Sequence, residues 1–234
     1  MPDVFEIYNR HADQYEALVA REDYQHNIFR KLNQIIPFDG LTVAEFGAGT
    51  GRLTCMLAPL VKYIYVFDTS QPMLDVAIAK LQKSGRSKWQ VAVGDNRHVS
   101  LRDGVADVAI SGWSICYMVV GNPKMWQADL AKALGEMRRV VHSGGTHILL
   151  ETLGTGRKRP HPPEDMLPYF DYLQAYGFRR IWIRTDYQFH DFEAAKALTR
   201  FFFGDEMVEM IEQDEQGIFL PECTGIWWLK QAAG

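Results

Sequence analysis

Between positions 42 and 54 the chain reads TVAEFGAGTGRLT, an apolar run carrying Glu45, followed by glycines at 47, 49 and 51 and then a helix-like stretch. Glycine lacks a Cβ, so such residues at a strand-to-helix handover can take positive φ and let a ligand lie against the backbone. The unsatisfied N–H groups opening the next helix favour a negative group such as a carboxylate. About twenty residues further on, YIYVFD ends in Asp68, where a carboxylate can accept hydrogen bonds from both hydroxyls of a ribose. Each charge-assisted bond of that kind contributes roughly 1.5–3 kcal/mol. A third element, GDN, offers Asp95 as acceptor for an exocyclic amino group and Asn96 as both donor and acceptor for an adenine edge. Alone, Asp95 is more often a loop or cap residue. After a strand in step with the other two elements, it reads as part of a nucleoside site.

The spacing also bears on which nucleoside. A dinucleotide fold uses G-x-G-x-x-G, whose third glycine lets the helix pack close. Here the pattern is G-x-G-x-G, and Arg52 stands where that third glycine would fall. A P-loop is excluded because no G-x-x-x-x-G-K-[ST] occurs.

These residues need strand tips to hold them, and the chain supplies a regular alternation. Strand-like runs recur at 42–46, 63–67, 89–93, 106–110 and 146–150, each separated by a helix-length segment. That order predicts a mainly parallel, doubly wound α/β sheet. In ADLAKALGEMRRVVHSGG, Leu130, Leu134, Met137 and Val141 share one helical face, and Gly144-Gly145 is expected to stop the helix. Residues 1–36 read as helical, closed by Pro37 and Asp39-Gly40. Past position 153, RRIWIRTDYQF and TGIWWLKQ read as two more strands, an antiparallel pair flanking a helical stretch near 191–213. GTGRKRPHPPEDMLPYF is expected to form a loop and short helix near the mouth of a pocket. The division expected is one domain: a helical cap at 1–38, a cofactor-binding core at 39–153, and substrate-side helices with the last two strands at 154–234.

Composition bounds the partners. The chain has 234 residues, 47% hydrophobic and 23% charged, enough for a full core. A net charge of -4 gives no general attraction to phosphate backbones, so nucleic acid is disfavoured as a partner. The opening MPDVFEIYNR lacks the order of a signal peptide and no run is long enough to span a membrane, so a cytoplasmic protein is expected. Cys55, Cys116 and Cys223 are odd in number and far apart, which points to free thiols and no metal site.

AEFGAGTGRLT resembles motif I of the class I S-adenosylmethionine-dependent methyltransferases, with Glu45, Gly47, Gly49 and Gly51 on the motif positions. The resemblance covers about residues 8–153. GEMRRVVHSGGTHILLE and the opening YNRHADQYEALV are similar to the subgroup that includes the ubiquinone and menaquinone methyltransferases. It implies a Rossmann-like, seven-stranded, mainly parallel sheet with helices on both faces and the last strand antiparallel. It further implies S-adenosylmethionine as cofactor, with S-adenosylhomocysteine as product. Asp68 would bind the ribose, Met73 would lie against the adenine and Asp95 would meet its amino group. Ala48, Thr69, Asn96 and Ser111 belong to the same implied cofactor set, and Tyr15 would cap the ligand. Glu45 and loop carbonyls suit the cofactor's cationic groups.

Methyl transfer is an in-line displacement, so alignment and exclusion of water supply most of the rate and no dedicated catalytic side chain is obligatory. Where an acceptor must lose a proton, His98, Tyr117 and His161 are the candidate bases by residue type. Trp113 and Tyr117 are candidates for the acceptor wall. The segment after the fourth strand lacks [DN]-P-P-[YF], and no paired catalytic cysteines or magnesium-type acid cluster are marked there. A small organic acceptor is therefore expected, with the protein a monomer or homodimer. The Arg157-Lys158-Arg159 run reads as solvated surface and FFFGDEM as a helix packing face. A non-catalytic nucleoside-binding regulator on the same fold, and a nicotinamide-type oxidoreductase, stand as the alternatives.

Overall fold

The computed structural model describes residues 4–85, 87–121 and 124–232. The N-terminal part forms α1 (Val4–Arg10), α2 (Ala12–Val19) and α3 (Asn27–Ile35). Then come β1 (Thr42–Phe46), α4 (Arg52–Leu57), β2 (Tyr63–Asp68), α5 (Gln71–Lys83), β3 (Trp89–Val93) and β4 (Ala106–Gly112). They are followed by α6 (Cys116–Gly121), α7 (Trp126–Val140), β5 (Val141–Thr155), α8 (Leu167–Tyr176) and β6 (Arg179–Arg184). The chain ends with β7 (Tyr187–Phe189), α9 (Phe192–Phe203), α10 (Asp205–Val208), β8 (Glu212–Asp214), β9 (Gly217–Leu220) and β10 (Glu222–Lys230).

Seven strands make the main sheet, in the order β3-β2-β1-β4-β5-β10-β6. β10 runs antiparallel to both its neighbours while β1 to β5 pair in parallel. Strand order reverses between β1 and β4, the place where an open α/β sheet leaves a crevice beyond its strand tips. The central strands are apolar because both faces are covered. Ala44 and Phe46 point into a core with Leu134, Met137 and Leu149, and Val43 points into another with Ile28, Leu57 and Ile64.

Three expectations change. Gly144-Gly145 do not stop α7, which passes directly into β5 at Val141. The pairing of β4 with β5 slips between Ala106 and Val108, so the glycine pair occupies a bulge. A Cβ at Gly145 would stand 2.6 Å from the Asp107 carbonyl oxygen, which is why the bulge takes glycine there. RRIWIRTDYQF is also not one strand. Asp23 N–H donates to the carbonyls of Thr185 and Asp186, and the Thr185 and Thr224 hydroxyls bond at 2.6 Å. The chain leaves the main sheet there, and β7 joins β9 and β8 in a separate antiparallel sheet. That small sheet packs with α9 against Leu18 of α2. The segment 154–170 is the third case, since β5 continues to Thr155 and no residue of the segment lines the large cavity described below.

Gly51 caps α4 at φ +79°, and a Cβ there would sit 2.8 Å from the Ala77 Cβ of α5. Its bareness therefore serves helix packing. Gly51→Ala is expected to destabilise the fold by about 2–4 kcal/mol, combining left-handed strain with overpacking, and to lower Tm in a thermal melt. Adding Ala77→Gly should recover the overlap portion but not the backbone strain.

Candidate active site

A cavity of about 370 Å³ opens at the tips of β1, β2 and β4. Its floor is the glycine loop and its roof is α1 and α2. Among the sequence-derived candidates, Tyr15, Glu45, Gly47, Ala48, Asp68, Thr69, Met73, Asp95, Asn96, Trp113 and Tyr117 line it. Gly49, Gly51, Ser111, His98 and His161 do not. The His98 side chain is 89% exposed, with Nδ1 4.0 Å from Glu136, and His161 lies exposed on the loop after β5. Neither histidine reaches the cavity, so of the three candidate bases the fold brings in Tyr117 alone. Ser111 is buried in β4 behind the wall, its hydroxyl without a partner.

The three motif glycines do different work. Gly47 has φ +68° and a Cβ there would fall 1.8 Å from Ser114 Oγ. The missing side chain makes room for the β4–α6 loop, where Ser114 Oγ accepts a hydrogen bond from Asn96 Nδ2 at 3.0 Å. Gly49, at φ +55°, would meet nothing closer than Met73 Cε at 3.7 Å, so it is the backbone conformation that requires glycine. Its N–H donates to Asp68 Oδ2 at 2.8 Å, and Ser70 N–H donates to Asp68 Oδ1 at 2.8 Å. Asp68 thus ties the glycine loop to the start of α5. Burial raises its carboxyl pKa, and these backbone donors oppose the rise.

Glu45 is 1% exposed and its Oε2 accepts from Thr54 Oγ1 at 2.5 Å. Burial pushes its pKa up to about 8, against the pull of Thr54. Asp95 is held from outside: Arg97 donates from Nε at 2.9 Å and Nη2 at 2.6 Å, and reaches Asp129 at 3.3 Å. The Arg97 bonds lower the Asp95 pKa.

Several lining residues carried no readable signal in the sequence. Tyr8 and Asn9 arrive because α1 folds over the cavity, with Ser70 Oγ donating to the Tyr8 carbonyl at 2.8 Å. Tyr15 meets Tyr8 edge-on at 5.3 Å and leans on Phe202 of α9 at 5.4 Å. Lys80 of α5 donates to Glu16 Oε1 at 2.6 Å and to the Thr50 carbonyl at 3.0 Å, fastening α2 to the glycine loop. Arg52 pairs with Glu22 and lies 3.5 Å from the centroid of the Trp113 ring. Trp113 itself has φ +51°, a strained conformation for a bulky residue that its N–H, donating to the Leu150 carbonyl at 2.7 Å, helps to hold. Arg52 was legible by its place beside the glycines, and Thr50 by its place between them. Both keep one buried polar atom without a partner, Thr50 Oγ1 and Arg52 Nη2.

Residues 44–149 match the family described as a methyltransferase domain. The match runs from β1 into β5 and covers less than half of the chain. A methyltransferase of Anoxybacillus flavithermus is 24% identical over 161 residues, covering 67% of this chain and 70% of that protein. A demethylmenaquinone methyltransferase of Lactococcus lactis is 26% identical over 155 residues, covering 64% and 58%. The crystal structure of an S-adenosylmethionine-dependent methyltransferase from Aquifex aeolicus shares the fold with a TM-score of 0.55 at 15% identity, covering 97% of this chain and 93% of that one. No helix among the described residues is long and apolar enough to cross a membrane.

The buried carboxyl of Glu45 makes the stability of the fold pH-sensitive. Its folded pKa of about 8 lies above the ordinary 4.5, so the folded state keeps a proton that the unfolded chain releases between those values. Stability is then full below about 4.5 and falls as pH rises toward 8. Glu45→Gln is expected to flatten this decline, giving a higher Tm than wild type at pH 8.5 and a similar one at pH 4.5. Thermal melts across pH check it. Glu151 and Glu222, pushed by burial to about 7 and about 8, leave part of the slope in place.

Proposed function

We propose that this protein is a methyltransferase that binds S-adenosylmethionine in the cavity and transfers its methyl group to a small-molecule acceptor. The observation that carries the reading is the Asp68 carboxylate, held by two backbone N–H groups beside the glycine loop at the strand-order reversal. Each of its oxygens retains acceptor capacity for a ribose hydroxyl. The orphaned Thr50 Oγ1 and Arg52 Nη2 suit the cofactor's carboxylate. Glu45 suits the ammonium, which would draw its raised pKa back down. Asp95, Asn96 and Met73 form the side where an adenine would lie, with Thr69 next to the ribose acid. The acceptor would meet the cavity between Trp113 and Tyr117.

S-adenosylmethionine supplies an electrophilic methyl on a sulfonium. The protein's share is orientation and exclusion of water, for which α1 and α2 form the roof. In this division of labour, residues 1–38 act as cap, 39–153 as cofactor core and 154–234 as the support behind Tyr15. The roof of α1 and α2 over the cavity favours an acceptor small enough to enter beside the cofactor.

Calorimetry is expected to detect S-adenosylmethionine and S-adenosylhomocysteine binding and none of a nicotinamide dinucleotide. Asp68→Ala should weaken both at least about tenfold, or ~1.4 kcal/mol, with a melt confirming that the variant folds. Unchanged affinity in folded Asp68→Ala would count against the ribose assignment.

A further inference from the structure

Glu151 sits on β5, the strand between β4 and β10, and is 1% exposed. Its Oε1 accepts from Cys116 N–H at 3.2 Å and from Tyr169 Oη at 3.0 Å. A further hydrogen bond joins it to the Cys116 thiol. Its Oε2 is buried and has no partner. Among the described residues no cation pairs with this acid. Leu149 and Leu153, two positions away on the same face of β5, belong to an apolar core with Ile115 and Val119.

A carboxyl in such a place is stable with its proton and costly without it. Once ionised it gains most by meeting water, and one of the elements packed on it must then move. β5 is paired along both edges. α8 buries Tyr169, Phe170 and Leu173, and Phe170 stacks on Trp227 at 4.7 Å. α6 is six residues long, and Val119 is the buried one. With so little apolar surface to expose, α6 is the element that lifts most easily. It is also the element the cavity depends on. Tyr117 and Met118 line the cavity, and Tyr117 Oη accepts from Tyr8 Oη of the roof at 2.6 Å.

We infer that Glu151 is a latch on the cavity wall, holding α6 against β5 and α8 while it keeps its proton and letting the segment that carries Tyr117 and Met118 swing out when it ionises. The latch is a property of the chain itself, whatever the cavity binds. Burial pushes the Glu151 pKa up to about 7 in the closed protein, whereas a hydrated carboxyl in the open form returns toward 4.5. The open form holds fewer protons between those values, so opening grows as pH rises from about 4.5 and levels off above about 7. The titratable groups that face Glu151 are Cys116 and Tyr117 on α6 and Tyr169 on α8. Burial raises the pKa of all three, so they keep their protons through neutral pH. Glu151 is the member of this cluster that changes charge there.

Hydrogen exchange of the amides at 116–121, followed by mass spectrometry on the full chain and corrected for the intrinsic pH dependence of exchange, reads the opening. From about pH 5.5 to about pH 8 the corrected α6 exchange is expected to rise at least about tenfold, as the gap between the two pKa values requires. Amides of β5, which exchange through opening of the main sheet, should stay slower than those of α6 throughout. Glu151→Gln carries no charge at either pH and should leave α6 exchange flat. If that variant does not fold, Tyr169→Phe decides: an ionised carboxyl loses more with a donor than a protonated one, so α6 exchange should increase more at the higher pH than at the lower. A flat wild-type profile, α6 exchange no faster than that of β5, a rise that survives in folded Glu151→Gln, or an equal effect of Tyr169→Phe at both pH values overturns the inference.

Discussion

One carboxylate with two backbone donors organises this protein. Asp68 ends β2, and its oxygens accept from Gly49 N–H in the loop after β1 and from Ser70 N–H at the start of α5. Two strand tips and a helix start are thereby locked in one geometry around a negative charge. The glycine loop adds its own tie, Ala48 N–H to the Phe67 carbonyl at 2.9 Å. Without Asp68 the loop would lose a charge-assisted bond, and the cavity floor would lose its definition along with its negative charge. The acid that the sequence marks for a ligand is also a structural pin.

The roof is fastened to that same floor by polar contacts. Lys80 joins Glu16 of α2 to the Thr50 carbonyl, Arg52 joins the α2–α3 turn at Glu22 to the start of α4, and Ser70 holds Tyr8 of α1. Each joins the N-terminal helices to the glycine loop or to a residue within a few positions of it or of Asp68, with Lys80 acting through the loop backbone. The shape of the cavity floor and the position of the cap are consequently coupled through single side chains. Charges of this kind, half-buried and mutually satisfied, stabilise modestly, but losing one partner strands the other.

Buried carboxyls at Glu45, Glu151 and Glu222 are the energetic counterpart of this site. Glu45 faces the cavity, whereas Glu151 accepts from Tyr169 Oη at 3.0 Å and Glu222 from Thr152 Oγ1 at 2.6 Å. Burial raises all three pKa values, so the fold carries acids that an apolar core would omit. At Glu45 the raised pKa belongs to a group lining the cavity, where perturbed acids most often have a functional part. Glu151 and Glu222 lie outside the cavity lining, Glu151 held by the Tyr169 hydroxyl and by the Cys116 N–H and thiol, and Glu222 by the Thr152 hydroxyl and the Asp186 carboxylate through its own N–H.

Much of this was legible along the chain because it depends on local periodicity. The five parallel strands, the glycine run and the acids at 68 and 95 recur at spacings set by strand length and crossover length, and these do not need the tertiary fold to be read. What each glycine does was not legible. Gly47 makes room for Ser114, 67 positions away, Gly49 takes a left-handed turn, and Gly51 admits Ala77, 26 positions away. The histidines misled for the same reason: residue type suggests a base, but position on the folded surface decides whether it meets a ligand. The meeting of Tyr8 with Tyr117, 109 positions apart, the stacking of Arg52 on Trp113, and the departure of β7 into a second sheet are long-range events. Periodicity determines which segments become strands and helices; only packing determines which side chains then share a cavity.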